Sequence, residues 1–145
     1  MRALLQRVES AEVRVGDKTA GKIGAGLLIF LGVGKNDTEQ NAEAMVEKIT
    51  RLRIFSDAEG KTNLSVSDVG GEALVVSQFT LYADCKKGNR PSFTEAGDPE
   101  RAERLYDYFI LKCGGAFKKT ESGIFGASMK VELINDGPFT VMLEN

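Results

Sequence analysis

Hydrophobic and polar residues alternate from the N-terminus to Val15, which is the pattern of a half-buried β-strand. The alternation is interrupted before Val13, so we expect a bend within this strand. Gly16-Asp17-Lys18 predicts a turn, and residues 19–23 predict the returning arm of a hairpin. The run from Leu27 to Val33 is apolar on both faces, as in a central strand that other elements cover.

Two later segments carry apolar residues at helical spacing. Asp37 or Thr38 can cap the first helix, and its apolar stripe consists of Ala42, Met45, Val46, Ile49 and Leu52. The second helix has Asp98 as its cap and Pro99 at its first position, and it ends at Gly114-Gly115. We expect its buried face to consist of Ala102, Leu105, Tyr106, Phe109 and Cys113.

Short strands are predicted in the remaining segments. Ile54-Phe55 begins one, residues 64–69 alternate weakly, and the tail holds two candidates, Ser128 to Ile134 and Phe139 to Leu143. Asn135-Asp136-Gly137-Pro138 joins the tail strands as a turn. The sequence therefore predicts one α+β domain over residues 1–145, with a mainly antiparallel, barrel-like sheet and two helices.

The segment from Glu72 to Tyr82 begins as a buried strand and ends in a row of polar side chains. Strand alternation places Gln78, Thr80 and Tyr82 on one face. A buried polar group without a partner costs about 1–3 kcal/mol, so this row must meet water or a ligand. An edge strand facing solvent and the wall of a ligand pocket both fit the pattern.

Composition limits the available chemistry. The chain has no histidine, so it holds neither a Ser-His-Asp triad nor a His-ligated zinc site. Cys85 and Cys113 are far apart and suit free thiols in a reducing compartment, with Cys113 in the core. No apolar run is long enough to span a bilayer, and we expect a cytoplasmic protein.

The charge distribution gives a second limit. A net charge of −2 argues against broad, charge-driven binding to nucleic acid. Lys86, Lys87 and Arg90 nevertheless cluster in a segment without periodicity, from Tyr82 to Gly97, and long loops are often functional. A solvated surface is the default explanation for this cluster.

Three motifs occur in order along the chain: Ser77-Gln78-Phe79-Thr80-Leu81, Asn89-Arg90-Pro91-Ser92-Phe93 and Asn135-Asp136-Gly137-Pro138-Phe139-Thr140. Together with the opening Met1 to Val8, they resemble the D-aminoacyl-tRNA deacylase family, and the likeness runs from end to end. One position departs from the family, which usually has valine after Gly-Pro where this chain has Phe139.

The resemblance implies a homodimer that hydrolyses the ester between a D-amino acid and the 3′ end of tRNA. In such proteins a Gly-cis-Pro element of one subunit enters the pocket of the other and rejects L-amino acids. Gly137 and Pro138 would form this chirality filter, and Arg7 would fix its orientation by a hydrogen bond. The resemblance further assigns a pocket wall of Ser77, Gln78, Phe79 and Thr80, and an adenosine site near Arg90, Phe93 and Met129. It implies tRNA as partner, no DNA or membrane partner, and no cofactor or metal.

The mechanism expected from these residues is water attack on the ester. Backbone N–H groups around Gln78 and Phe79 would stabilise the developing oxyanion. The resemblance suggests that the terminal 2′-hydroxyl of the tRNA assists the attack. Thr80 as a covalent nucleophile is the alternative, although no histidine can activate it. Glycyl-tRNA is an expected additional substrate, because glycine has no side chain for the filter to reject. Two other classes stay open: a non-catalytic dimeric tRNA-binding module, and a small-molecule-binding or structural dimer.

Overall fold

A computed structural model describes residues 1–145. The strands are β1 (Arg2–Val15), β2 (Lys18–Ile23), β3 (Gly26–Gly32), β4 (Arg53–Ser56), β5 (Thr62–Ser65), β6 (Glu72–Ser77), β7 (Thr120–Ser122) and β8 (Met129–Glu144). The helices are α1 (Glu39–Arg51) and α2 (Pro99–Cys113), and a 3₁₀ turn occupies Phe79–Tyr82. Neither α-helix has the length and apolar character that a bilayer span requires.

Antiparallel pairing dominates the main sheet. The strand order is β2-β1-β3-β6-β7, and β8 pairs with β1 along nearly its whole length. Only β3–β6 and β6–β7 are parallel, because helical crossovers precede β6 and β7, whereas β4 and β5 form a separate hairpin. The predicted α+β class with a mainly antiparallel, barrel-like sheet and two helices is confirmed.

The sheet buries apolar side chains on both faces. One face packs against α1 and α2, and the predicted buried faces of both helices are confirmed apart from Leu52, which follows α1 and is half-buried. A smaller cluster, which includes Val8, Leu28, Leu74 and Val76, fills the other face. Tyr106 of α2 donates a hydrogen bond of 2.8 Å to the carbonyl of Val75, so α2 is fixed against β6 by a polar contact as well.

The strand predicted from Glu72 to Tyr82 is wrong beyond Ser77. Gln78 makes the last sheet contact, donating its backbone N–H to the Leu31 carbonyl at 2.7 Å. The chain then turns, as Leu81 N–H donates to the Gln78 carbonyl and Ala83 N–H donates to the Thr80 carbonyl. The expected row of Gln78, Thr80 and Tyr82 on one strand face therefore does not exist.

The two predicted tail strands and their turn are one strand, β8, with a bulge. Asn135 lies opposite Val8 and Thr140 lies opposite Gln6, so Arg7 alone faces the four residues 136–139. Asn135 closes the bulge from within, because its Oδ1 accepts a hydrogen bond from Phe139 N–H at 2.8 Å. The Gly137-Pro138 peptide at its tip is cis. Strand β7 was not predicted.

Candidate active site

A cleft of about 510 Å³ opens where β3 and β6 end. This volume is within the range of small-molecule sites, roughly 300–1,000 Å³. Its lining is mostly apolar and comes from the ends of β3 and β6, the start of α2 and the segment from Phe125 to Val131. The cleft therefore has a hydrophobic floor with few polar groups at its rim.

The structure brings four of the sequence-predicted site residues to this cleft. Ser77, Gln78 and Phe79 lie where β6 passes into the 3₁₀ turn, and Met129 lies at the start of β8. Thr80 is exposed and lies outside the lining, but its hydroxyl accepts a hydrogen bond from the Gln78 side-chain amide. No histidine or other side chain that titrates near neutral pH belongs to the lining.

Two backbone N–H groups beside the cleft have no acceptor. A helical turn leaves its first donors unpaired, and here these donors are the N–H groups of Phe79 and Thr80. The Gln78 N–H, expected to be a free donor, is instead bonded to the Leu31 carbonyl. The expectation of donors around Gln78 and Phe79 is therefore wrong for Gln78, and the free pair lies one residue later.

The 3₁₀ turn is held from behind by Arg2 and Tyr82. Arg2 Nη1 donates to the Leu81 carbonyl at 2.9 Å, and its guanidinium lies 4.5 Å from the centre of the Tyr82 ring. Tyr82 packs just beyond the end of β3, where a Cβ at Gly34 would come within 2.6 Å of the phenol oxygen. Burial and the nearby Asp37 carboxylate raise the pKa of Tyr82 to about 12, so the phenol stays neutral at physiological pH. These contacts keep the free donors in a fixed place.

The opposite wall of the cleft was missed by sequence reasoning. It consists of Ala96, Gly97, Pro99, Ala102, Tyr106 and the segment Phe125 to Ala127. Pro99, Ala102 and Tyr106 were predicted only as parts of a helix. Residues 123–128 place Ile124 and Phe125 between two glycines and gave no periodic signal, so their position depends on tertiary packing.

Phe93 and Arg90 lie on the long loop beside the 3₁₀ turn. The Phe93 ring packs edge-on against Phe79, with 5.0 Å between ring centres. Arg90 is exposed and makes no hydrogen bond or ion pair within the chain. Phe93 therefore lies beside the cleft, because it packs against Phe79, which lines it. Arg90 is free to contact a ligand.

Arg7 organises a second cluster around the bulge of β8. Its Nε lies 3.0 Å from both the carbonyl and the carboxylate of Asp136, and its Nη1 donates to the Ile54 carbonyl at 2.6 Å. The guanidinium lies 5.2 Å from the centre of the Phe139 ring. Phe139, the residue that departs from the family, thus packs against the buried cation that anchors the bulge.

Gly137 and Pro138 do not reach the cleft of their own chain. Both are exposed at the tip of the bulge, and neither they nor Arg7 line the cleft. Gly137 has a φ of +138°, and a Cβ there would lie 2.9 Å from the Phe139 nitrogen. The tip is therefore a conformation that favours glycine, and it lies outside the cleft of its own chain.

The family model for D-Tyr-tRNA(Tyr) deacylase matches residues 4–144. The chain is 56% identical over 146 residues to a D-aminoacyl-tRNA deacylase of Thermosipho melanesiensis, covering 100% of the chain and 97% of the relative. It is 55% identical over 144 residues to a D-aminoacyl-tRNA deacylase of Cronobacter sakazakii, covering 99% of each.

Two solved structures share the fold. One, described as a c-Myc DNA unwinding element binding protein, has a TM-score of 0.94 at 42% identity and covers 100% of this chain and 99% of its own. A probable eukaryotic D-amino acid tRNA deacylase has a TM-score of 0.86 at 20% identity, covers 98% of this chain and 97% of its own, and shows the fold alone. The resemblance noted from the three motifs is confirmed, as is the assignment to a class of hydrolases. The chain belongs to the D-Tyr-tRNA(Tyr) deacylase family.

Proposed function

We propose that this chain hydrolyses the ester of D-aminoacyl-tRNA and releases a free D-amino acid and tRNA in the cytoplasm. The observation that carries the proposal is the pair of unpaired N–H groups, on Phe79 and Thr80, beside an apolar cleft in a member of this family. Donors of this kind stabilise the negative charge that develops on a carbonyl oxygen during ester cleavage.

The proposed mechanism uses water as the nucleophile. The ester carbonyl oxygen accepts hydrogen bonds from Phe79 and Thr80 N–H, and the 2′-hydroxyl of the terminal adenosine assists the attacking water. The cleft lining offers no side-chain base, which is consistent with a proton path through the substrate itself. Catalysis then depends on fixed backbone geometry and on how the tRNA end is held.

Thr80 acts in this mechanism through its backbone rather than through its hydroxyl. The hydroxyl accepts from Gln78 and has no nearby base to activate it as a nucleophile. We therefore expect Thr80→Ala to retain kcat for D-Tyr-tRNA within about tenfold, the cost of one neutral hydrogen bond. Turnover is measured under single-turnover conditions. Loss of all turnover, or an acyl-enzyme trapped on the wild type by acid quench, would favour covalent catalysis by Thr80.

The chirality filter is assigned to a second copy of the chain. Met142, Leu4, Phe30 and Val76 are successive cross-strand neighbours on one sheet face, and Val76 also lines the cleft. Met142 is 49% exposed, so this apolar row leads from open surface to the cleft. A copy seated on the row would bring its exposed Gly137-Pro138 tip to the cleft, where the tip would reject a side chain in the L configuration. The protein would therefore act as a homodimer.

The remaining assigned residues lie where the terminal adenosine would bind. Phe93 packs on Phe79 at the rim, and Met129 lines the cleft on the other side. An adenine ring between them would stack on apolar surface, and the free Arg90 guanidinium would contact the ribose-phosphate side. This placement holds the 2′-hydroxyl near the scissile ester.

A deacylation assay with matched esters tests the function. Purified protein with a metal chelator is incubated with D-Tyr-tRNA, L-Tyr-tRNA and Gly-tRNA, and the remaining ester is counted over time. We expect rapid cleavage of D-Tyr-tRNA, measurable cleavage of Gly-tRNA and no cleavage of L-Tyr-tRNA above the uncatalysed rate. Equal rates for the D and L esters would reject the chirality filter assigned to Gly137-Pro138. Resistance of Gly-tRNA would reject only the expectation that glycyl-tRNA is an additional substrate.

A non-catalytic tRNA-binding dimer is the second candidate. The observation that favours it is the cluster of Lys86, Lys87 and Arg90, whose charges are not neutralised by any ion pair. Such a module would bind tRNA with strong salt dependence and leave every ester intact in the same assay.

A further inference from the structure

The loop from Asp84 to Ser92, here called the basic loop, has a defined shape. Asp84 and Ser92 exchange two backbone hydrogen bonds of 2.8 and 2.9 Å, which close the loop at its base. Asp84 Oδ1 accepts from Lys86 N–H at 2.9 Å, and Gly88 turns the tip with a φ of +67°. The loop is thus a small hairpin built on its own hydrogen bonds.

The three cations of the basic loop have no charged or hydrogen-bonded partner within the chain. Lys86, Lys87 and Arg90 are all exposed and make no side-chain hydrogen bond or ion pair. The acidic neighbours do not neutralise them: Asp84 caps a backbone N–H, and Glu95 pairs with Lys35 at 2.8 Å. The loop is therefore a local positive surface on a chain whose net charge is −2.

The position of the basic loop connects it to the cleft. The loop starts just after the 3₁₀ turn, and at its other end Phe93 packs against Phe79. Two residues further, Lys35 N–H donates to the Glu95 carbonyl, and Gly97 N–H donates to the Val33 carbonyl. The chain thus enters and leaves the loop at the rim of the cleft, so the loop lies beside a polynucleotide whose end is bound in the cleft.

We propose that the basic loop, through Lys86 and Lys87, binds consecutive phosphates of the single-stranded 3′ end of tRNA. The proposal rests on the proposed function, because it places the terminal nucleoside in the cleft. Lysine ammonium groups are suited to phosphate diesters as mobile point charges and carry no base preference. The loop therefore sets how tightly the tRNA end is held, independently of its sequence.

A double substitution, Lys86→Gln with Lys87→Gln, tests the proposal. We expect KM for D-Tyr-tRNA to rise about tenfold at 0.1 M salt, with kcat unchanged. The slope of log KM against log salt concentration should fall by about 1.4, since each lost contact to a single strand removes about 0.7. For D-tyrosyl-adenosine, which contains the ester but no phosphate, KM should change less than twofold.

The charge-matched control is Lys118→Gln with Lys119→Gln, in which Lys119 also gives up its ion pair with Glu121. These two adjacent lysines lie at the opposite end of β6, beside Gly71 and Ala73, and their removal changes the net charge equally. We expect the control to keep the wild-type salt slope. Equal slopes in the test variant and the wild type, or an equal loss in both variants, would overturn the proposal.

Binding of uncharged tRNA separates this proposal from the proposed function. The salt slope of binding is measured for the wild type and both variants by filter retention, without any ester present. A smaller slope in the basic-loop variant supports the loop site even if no ester is cleaved. Cleavage of both substrates with identical binding slopes would retain the function and reject the loop site.

Discussion

Replacing Phe79 by proline should lower kcat for D-Tyr-tRNA by about 10²–10³, the effect of removing one oxyanion donor. Proline lacks the N–H group that we assign to the developing oxyanion. The backbone accepts this change, because proline is tolerated at the first position of a helical turn. Gln78 before it has φ −146° and ψ 77°, outside the helical region that proline disfavours in its predecessor.

Phe79→Ala is the matched control for this substitution. Alanine removes the same exposed ring, which is 58% accessible, but keeps the N–H group. We expect the alanine variant to differ from wild type mainly in KM, since the ring supports Phe93, which we assign to the proposed adenosine site. If both variants lose kcat equally while their melting temperatures agree, the Phe79 N–H has no part in the chemistry.

Replacing Arg7 by methionine should reduce both the stability of the fold and the discrimination against L-esters. The guanidinium is buried and holds the carbonyls of Ile54 and Asp136 together. Without it a buried carbonyl loses its donor, which costs about 1–3 kcal/mol for each unpaired group. The β8 bulge then loses its anchor, and we expect the ratio of D-Tyr-tRNA to L-Tyr-tRNA cleavage to fall at least tenfold.

Asp136→Asn separates the hydrogen bonds of Arg7 from its ion pair. The Asp136 side chain is 48% exposed, so its ion pair is screened by solvent and contributes little, within about 1 kcal/mol. The backbone carbonyl that Arg7 contacts remains in this variant. Urea unfolding and the two deacylation rates are measured for both variants. An Arg7→Met protein with wild-type stability and wild-type discrimination contradicts the anchoring role.

Much of the fold was predictable because local sequence and tertiary structure agree. The stripe of α2, including Tyr106 and Phe109, has helical spacing, a cap at Asp98 and a stop at Gly114. The long opening strand has a regular alternation, and it forms one continuous strand from Arg2 to Val15. In these segments periodicity, capping and burial all favour the same structure.

The site was predictable only in part, because its geometry depends on long-range contacts. The 3₁₀ turn is fixed by the packing of Tyr82 on Gly34 and by the hydrogen bond from Arg2 to the Leu81 carbonyl. Both partners lie far from residue 80 in the sequence, so the local pattern does not predict these contacts. Likewise, the four-residue bulge of β8 exists because Arg7, more than a hundred residues away, lies opposite it. A pattern of strand-forming residues interrupted by a turn motif cannot distinguish a hairpin from such a bulge.

Strand β8 connects the two features to which we assign a function, the cleft and the Gly137-Pro138 tip. Its first residue, Met129, lines the cleft of its own chain, and Gly137 and Pro138 at the tip of its bulge are exposed. Between them the strand is registered on β1, with Met129 opposite Val15 and Asn135 opposite Val8. No hinge lies on this path, so an insertion or deletion there would displace both ends at once. The spacing between the cleft and the projecting tip is therefore a fixed property of the scaffold.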